Sequence, residues 1–242
     1  MERNLKASII TLVDDVESRT QAQRCKESCI KYNGDTIDVN FSPAVTPDMV
    51  DDLMDSFRLE WTWPWEEERL DIRSGLNLHP YTTADPQKRV ACFLSHYWLW
   101  SSVVEDNEPM IILEQDAIFT TKFGITLGKL NKSKFDIVGL NDPRGATRKS
   151  AVFHSEVESP KNLGYSIIPV PSVDDQNVPQ GLAGNSAYFI KPEGARKLMA
   201  LAKEHGAWPN DALMCQQLMP GKLGVTTTYF TRVQGTASTT TL

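Results

Sequence analysis

Residues Met110 to Phe119 read MIILEQDAIF. Four apolar residues run into Glu114, Gln115 and Asp116, and the chain then turns apolar again. A strand that reads as buried therefore ends on two carboxylates. Burying a charge is costly unless it is paired or holds a metal. Side chains at i and i+2 of an extended chain share a face, so Glu114 and Asp116 converge while Gln115 points away. Two convergent carboxylates suit a hard divalent cation that also holds phosphate oxygens. On spacing alone, an acidic surface turn is the competing reading.

Working outward, PQKRVACFLSHYWLWSSVVEDN places a proline at the first helical position and feeds a helix directly into this strand. The beginning of the chain reads strand, helix, strand: ASIITLV, then SRTQAQRCKESCIKY opening on a capping-type serine, then DTIDVNF. Further strands are expected at FDIVGLN and NSAYFI, and further helices at TPDMVDDLMDSF, TKFGITLGKLNK, EGARKLMALAKEHG and NDALMCQQLM. Alternation of strands and helices predicts an α/β sandwich with a largely parallel sheet, in which ligands bind beyond the carboxyl ends of the strands. Glu114 and Asp116 emerge there. The whole chain, 1–242, reads as a single domain. Within it, 58–85 reads as an insertion or lid, 142–182 as a flexible polar loop holding Arg144, Arg148, Lys149 and Lys161, and GTASTTTL as a partly disordered tail.

The chain has 242 residues, 40% of them hydrophobic, enough for a sizeable core. A formal charge of −6 argues against general binding to nucleic acid or anionic membrane, both of which rely on basic surface. No run approaches the ~18 apolar residues of a membrane span, and MERNLKASIITLVDD lacks the long apolar centre of a signal peptide, so a cytoplasmic protein is expected. Cys25, Cys29, Cys92 and Cys215 lack the tight clustering of a zinc site and read as free buried thiols.

ACFLSHYWLW followed by IILEQDAIF resembles the signature of glycosyltransferase family 25, through Cys92, Leu94, Ser95, His96 and Trp100 and then Ile112, Leu113, Glu114 and Asp116. GNSAYFIKPEGARKL is similar to the family's Gly-Thr-x-Ala-Tyr block through Gly184, Ala187, Tyr188, Ile190, Gly194, Ala195 and Leu198. WPNDALM resembles its Pro-x-Asp block through Pro209 and Asp211, and VQGTAST its terminal block through Gln234 and Ser238. The blocks stand in family order over about 89–238. The departures are Gln115 in place of an aspartate, Ala91 in place of a glycine, and an N-terminal ITLVDDVESR with Thr11 where the family has asparagine and arginines displaced to Arg19 and Arg24.

The resemblance implies a GT-A type, Rossmann-like α/β/α sandwich with a mostly parallel central sheet, and a UDP-sugar donor. It implies Mn²⁺, or Mg²⁺, on Glu114 and Asp116, and inverting transfer of a hexose, galactose or glucose, to an acceptor hydroxyl. Asp211 is the implied catalytic base, the other reading being a helix cap. Thr11, Leu12, Val13, Ser95, His96, Gln115, Arg232, Gln234 and Ser238 are implied at the donor, and Gly184, Asn185, Ser186 and Tyr188 at the acceptor. Trp61, Trp63 and Trp65 of WTWPW are either core or a stacking rim for acceptor. The acceptor of the family is a saccharide, as in lipooligosaccharide, or a protein. Two other readings stay open: transfer to a hydroxymethylated base in phage DNA, served by the basic loop, and a catalytically inactive GT-A domain marked by Gln115.

Overall fold

The computed structural model describes residues 4–81, 83–144 and 149–235. In chain order the elements are β1 (Leu5–Thr11), α1 (Val16–Asn33), β2 (Ile37–Pro43), α2 (Val50–Phe57), β3 (Arg69–Asp71), β4 (Leu76–Leu78), α3 (Pro86–Asp106), β5 (Met110–Glu114) and β6 (Ala117–Phe119). Then follow α4 (Leu127–Lys132), β7 (Ile137–Gly139), α5 (Ser150–Val157), β8 (Ile167–Pro169), β9 (Ala187–Ile190), α6 (Pro192–His205), α7 (Asn210–Leu213), β10 (Leu223–Thr226) and β11 (Thr231–Val233). Seven strands form one sheet in the order β2-β1-β5-β9-β7-β10-β8. β2, β1, β5, β7 and β10 run one way, and β9 and β8 run against them. The sheet is thus the mostly parallel centre of a GT-A type, Rossmann-like α/β/α sandwich.

Every residue of β5 before Glu114 is buried, yet the strand still alternates. Met110 and Ile112 face the core layer of α3 and α6, whereas Ile111 and Leu113 face the layer of α1 and α4. Period 2 then carries Glu114 to the α3 side. β9 repeats the pattern, with Tyr188 and Ile190 on the α3 side and Ala187 and Phe189 on the other. On α3, Arg89, Cys92, His96 and Trp100 recur at spacings of three, four and four, which is one stripe of a helix. Two strand faces and one helix stripe are therefore aimed at each other by periodicity alone.

Local chemistry sets the helix starts. Asp85 caps α3 by accepting from Gln87 N at 3.0 Å, and Pro86 follows at the first helical position. The expected capping serine of α1, Ser18, is not its cap. Asp15 accepts from Ser18 N at 2.6 Å, and the Ser18 hydroxyl accepts from Leu12 N at 2.9 Å, tying the end of β1 to the helix.

Two loop expectations are corrected. The stretch 142–182 contains α5 and β8, and β8 pairs antiparallel with β10. Its polar composition hid buried anchors, among them Phe153, Val157, Ile168, Val170 and Leu182. The stretch 58–85 joins the α3-side core: Leu76 and Leu78 are buried there, and Trp63 meets Trp208 edge-on at 5.5 Å. Trp61 and Trp65 stack at 5.0 Å and pack on the same core. Trp61 and Trp65 therefore serve packing, and Trp63 packs on the core while also lining a cavity. No helix among the described residues is long and apolar enough to cross a membrane.

Asp71 pins the β3–β4 hairpin to the end of α6. Its carboxylate accepts from Ser74 N at 2.9 Å and Ser74 Oγ at 2.6 Å, and faces His205 Nδ1 at 3.3 Å. Burial works to raise this carboxyl, but the Ser74 bonds and His205 outweigh it and hold it below its ordinary value. Asp71→Ala is expected to lose about 1–2 kcal/mol at pH 7, or roughly 2–4 °C in Tm per kcal/mol. A depressed carboxyl stabilises above its unfolded pKa of ~3.9 and loses that contribution as pH falls through the lower folded value, so the gap to wild type should shrink as pH falls below ~3.9. A gap that does not shrink there would remove the charge from the explanation.

Gly181 forms an antiparallel bridge to Cys215, and a Cβ at this position would overlap the Met214 carbonyl oxygen. Gly181→Ala should push the segment carrying α7 outward and lower the urea midpoint by the equivalent of about 1–3 kcal/mol. An unchanged midpoint would show that the two backbones do not touch.

Candidate active site

Glu114 is the last residue of β5, and Gln115 and Asp116 form the turn into β6. The extended 114–116 expected from the spacing is corrected by this turn. The two carboxylates nevertheless stay together, because the turn backbone is clamped from both sides. Glu114 N donates to Ser186 O at 2.8 Å, and Gln234 N to Asp116 O at 2.8 Å. The Gln234 side-chain amide donates to Gln21 O at 3.1 Å and to Gln115 O at 3.3 Å. Burial and then the neighbouring Glu114 charge push the Asp116 carboxyl up to about 7. Its Oδ1 is buried with no hydrogen-bond partner. A crowded carboxylate pair with an orphaned oxygen fits a bound cation, and Glu114 and Asp116 are the residues that would hold it.

The α3 stripe supplies the wall beside Glu114. His96 Nε2 lies 3.3 Å from Glu114 Oε1, and His96 Nδ1 lies 2.8 Å from Tyr188 Oη, which also accepts from Trp100 Nε1 at 2.8 Å. Cys92 completes a group in which the Cys92, His96 and Glu114 ligand atoms lie within 4.8 Å of one another. Burial first, and then the Glu114 charge, push the Cys92 thiol well up, with Asp211 and Asp116 adding to the same effect. The thiol thus sits in the field of all three acids.

Asp211 stands in α7, at a cavity of about 270 Å³ lined also by Trp63, His79, Tyr81, Lys149 and Gly184. Tyr81 Oη donates to Asp211 Oδ2 at 3.0 Å, and Asp211 Oδ1 accepts from Ala212 N at 3.0 Å. The N-cap of α7 is Pro209, so the side chain of Asp211 does not cap the helix. Burial raises the Asp211 carboxyl above its ordinary value, with Glu114 adding to this. The Tyr81 bond and the Arg89 charge oppose it. The Tyr81 ring is itself held between Trp63, stacked at 5.9 Å, and the Arg89 guanidinium at 4.9 Å.

The other expected residues separate into groups. Ile10 is the register partner of Glu114, so Thr11, Leu12 and Val13 continue β1 beside the acidic turn. Thr11 itself is buried, its hydroxyl donating to Ile9 O. Ser95 turns inward, donating to Ala91 O at 2.8 Å and accepting from Val45 N at 2.9 Å, so its hydroxyl serves packing rather than donor contact. Tyr188 is fully buried and its hydroxyl is engaged by Trp100 and His96, which removes it from an acceptor surface. Gly184 lines the cavity, and Asn185 Nδ2 and Ser186 Oγ are buried without partners next to Glu114. Gln234 clamps the acidic turn. Arg232 lies instead in a second cavity of about 400 Å³ with Arg24, Lys31 and Tyr32. Ser238 and Arg148 lie outside the described residues. Tyr81 and Arg89 were missed. Tyr81 sits in a segment with no periodic signal, and its partner Asp211 is 130 residues away.

A family model described as glycosyltransferase family 25 (LPS biosynthesis protein) matches residues 9–214. Comparison with curated protein sequences finds no match. Among solved structures, apo mouse xyloside xylosyltransferase 1 is similar with a TM-score of 0.44 and 10% identity, covering 91% of this chain and 84% of its own. The matched stretch contains the acidic turn, the α3 stripe, the Tyr188 strand and Asp211, and the chain belongs to glycosyltransferase family 25.

Proposed function

We propose that this glycosyltransferase moves a hexose, galactose or glucose, from a UDP-sugar to a saccharide hydroxyl, with inversion and with Mn²⁺ at Glu114 and Asp116. The observation that carries the metal assignment is the buried, partnerless Oδ1 of Asp116 beside Glu114. A cation bound there supplies positive charge to the phosphate oxygens as the nucleoside diphosphate departs. Asp211 takes the proton of the acceptor hydroxyl. The acceptor oxygen attacks the anomeric carbon from the face opposite the diphosphate, and the electron pair of the breaking C–O bond leaves on phosphate. A carboxyl raised by burial is a better base than an exposed one, and Tyr81 keeps it ionised and in place. The cavity at Asp211 is close to the lower end of the ~300–1,000 Å³ range of small-molecule pockets, a size that suits a single ring.

A saccharide acceptor is favoured over duplex DNA because each cation of the basic loop among the described residues is paired with an acid. Lys149 pairs with Asp174 at 2.8 Å, Arg144 with Asp142 at 2.5 Å and Lys161 with Glu156 at 2.8 Å. Few cations are left there to bind phosphates.

The deciding experiment is nucleoside diphosphate release from UDP-, GDP-, CMP- and TDP-sugars, with Mn²⁺ or EDTA, for wild type and Asp116→Ala. UDP release that requires Mn²⁺ and drops about 10²–10³-fold in the variant is expected. Release that ignores EDTA and survives Asp116→Ala would overturn the metal reading, and no turnover with Mn²⁺-indifferent UDP binding would point to an inactive domain.

Asp211→Asn should lose about 10²–10⁴-fold in kcat while keeping UDP affinity. The acid limb of kcat/KM should lie above the usual carboxylate range, since the base must be ionised and its pKa is raised. The Tyr81 bond lowers that pKa, so Tyr81→Phe should move the limb to higher pH. A limb unmoved by Tyr81→Phe would separate it from Asp211.

A further inference from the structure

One chain of buried hydrogen bonds fixes a proton. Trp100 Nε1 and Tyr188 Oη are 2.8 Å apart, Tyr188 Oη and His96 Nδ1 are 2.8 Å apart, and His96 Nε2 and Glu114 Oε1 are 3.3 Å apart. Trp100 and Tyr188 have no exposed surface and His96 has 1%, so bulk solvent does not reach these three groups, while the Glu114 side chain at the end of the chain is 29% exposed. An indole N–H can only donate, so the Tyr188 oxygen accepts from Trp100. The phenol then needs an acceptor for its own proton. Among the described residues, His96 Nδ1 is the one other polar atom at bonding distance from it. Nδ1 therefore accepts, and the ring proton sits on Nε2, facing a carboxylate that can only accept. The opposite tautomer would leave the phenol proton without an acceptor and set the Nε2 lone pair against those of Glu114. A doubly protonated ring would likewise strand the phenol proton.

We infer that Tyr188, held by Trp100, locks His96 as the Nε2–H tautomer, and that His96 is thereby a positioning residue that orients Glu114 rather than a metal ligand. The Cys92, His96 and Glu114 ligand atoms are close enough together to hold an ion. In the locked state, however, neither ring nitrogen offers a free lone pair: Nε2 bears the proton and Nδ1 receives the phenol. Orienting a ligand carboxylate from behind is the work that second hydrogen-bonded partners do around metal ions. Only the metal consequence of this inference rests on the Mn²⁺ reading above; the tautomer does not.

Two measurements test it. Long-range ¹H–¹⁵N spectra of the metal-free protein, with His96 assigned through His96→Gln, should show a protonated Nε2 and a bare Nδ1, and Tyr188→Phe should shift the Nδ1 resonance as its hydrogen bond is lost while Glu114 keeps the proton on Nε2. A protonated Nδ1, in either the neutral or the doubly protonated ring, overturns the inference. Mn²⁺ titrated into the UDP-bound protein and followed by EPR should bind Cys92→Ala within about twofold of wild type, and His96→Ala about 10–100-fold more weakly. A tenfold loss in Cys92→Ala would make the thiol–imidazole group the metal site and overturn the inference. Wild type that binds no Mn²⁺ would remove the metal reading, and the spectra would then decide the tautomer by themselves.

Discussion

Two carboxylates crowd at the carboxyl end of β5, and the turn that carries them has no freedom to separate them. Glu114 is drawn to the α3 side by the same alternation that buries Ile112, while Asp116 is caught in the turn by the backbone of Gln234 and the adjoining chain. Burial first, and then repulsion from Glu114, raise the Asp116 carboxyl. Much of the surrounding architecture keeps this unfavourable arrangement in place: Ser186, just ahead of β9, clamps Glu114 N from one side, β11 leads into the Gln234 clamp on the other, and the His96–Tyr188–Trp100 chain steadies Oε1. Two like charges held this close, with Asp116 Oδ1 buried and unpartnered among the described residues, are the feature on which the proposed metal site rests.

The second centre is built differently. Asp211 is placed by α7, whose approach to Gly181 leaves no room for a side chain there. Its environment is supplied by the 58–85 segment and by the start of α3. Arg89, Tyr81 and Trp63 form a stack of cation, phenol and indole that aims one hydroxyl at the carboxylate. The segment thus belongs to the chemistry through a buried contact, and its three tryptophans pack on the core. In the proposed mechanism one carboxyl centre would hold a cation and the other would take a proton.

Residues close in sequence carried most of what could be read in advance. The strand–helix alternation, the start of α3 at Asp85-Pro86 and the emergence of Glu114 and Asp116 at the carboxyl end of a strand all follow from local pattern. The polar stretch 142–182 misled because Phe153 and Val157 make a single helical turn of apolar face and Ile168 stands apart from them, too short a pattern to recognise, yet each finds a place in the α3-side core. Ser18 misled because two capping candidates, Asp15 and Ser18, stand three residues apart and compete for the same helix start.

What the sequence determined by itself was the set of groups: two acids at the end of a strand, a helical stripe of Arg89, Cys92, His96 and Trp100, and an acid at the start of a short helix. Periodicity dictates which side chains share a face, and that is information one strand or one helix contains. What only the tertiary structure decided was which group touches which. Tyr188 reads as a polar strand residue open to ligand, and becomes an internal strut because β9 lies beside β5, opposite His96. Arg232 reads as a phosphate contact, and is carried to the α1 side because β11 pairs with β6. Tyr81 meets Asp211 across 130 residues of chain. Such contacts depend on how separate elements dock, and docking is set by the packing of the whole core rather than by any stretch of it.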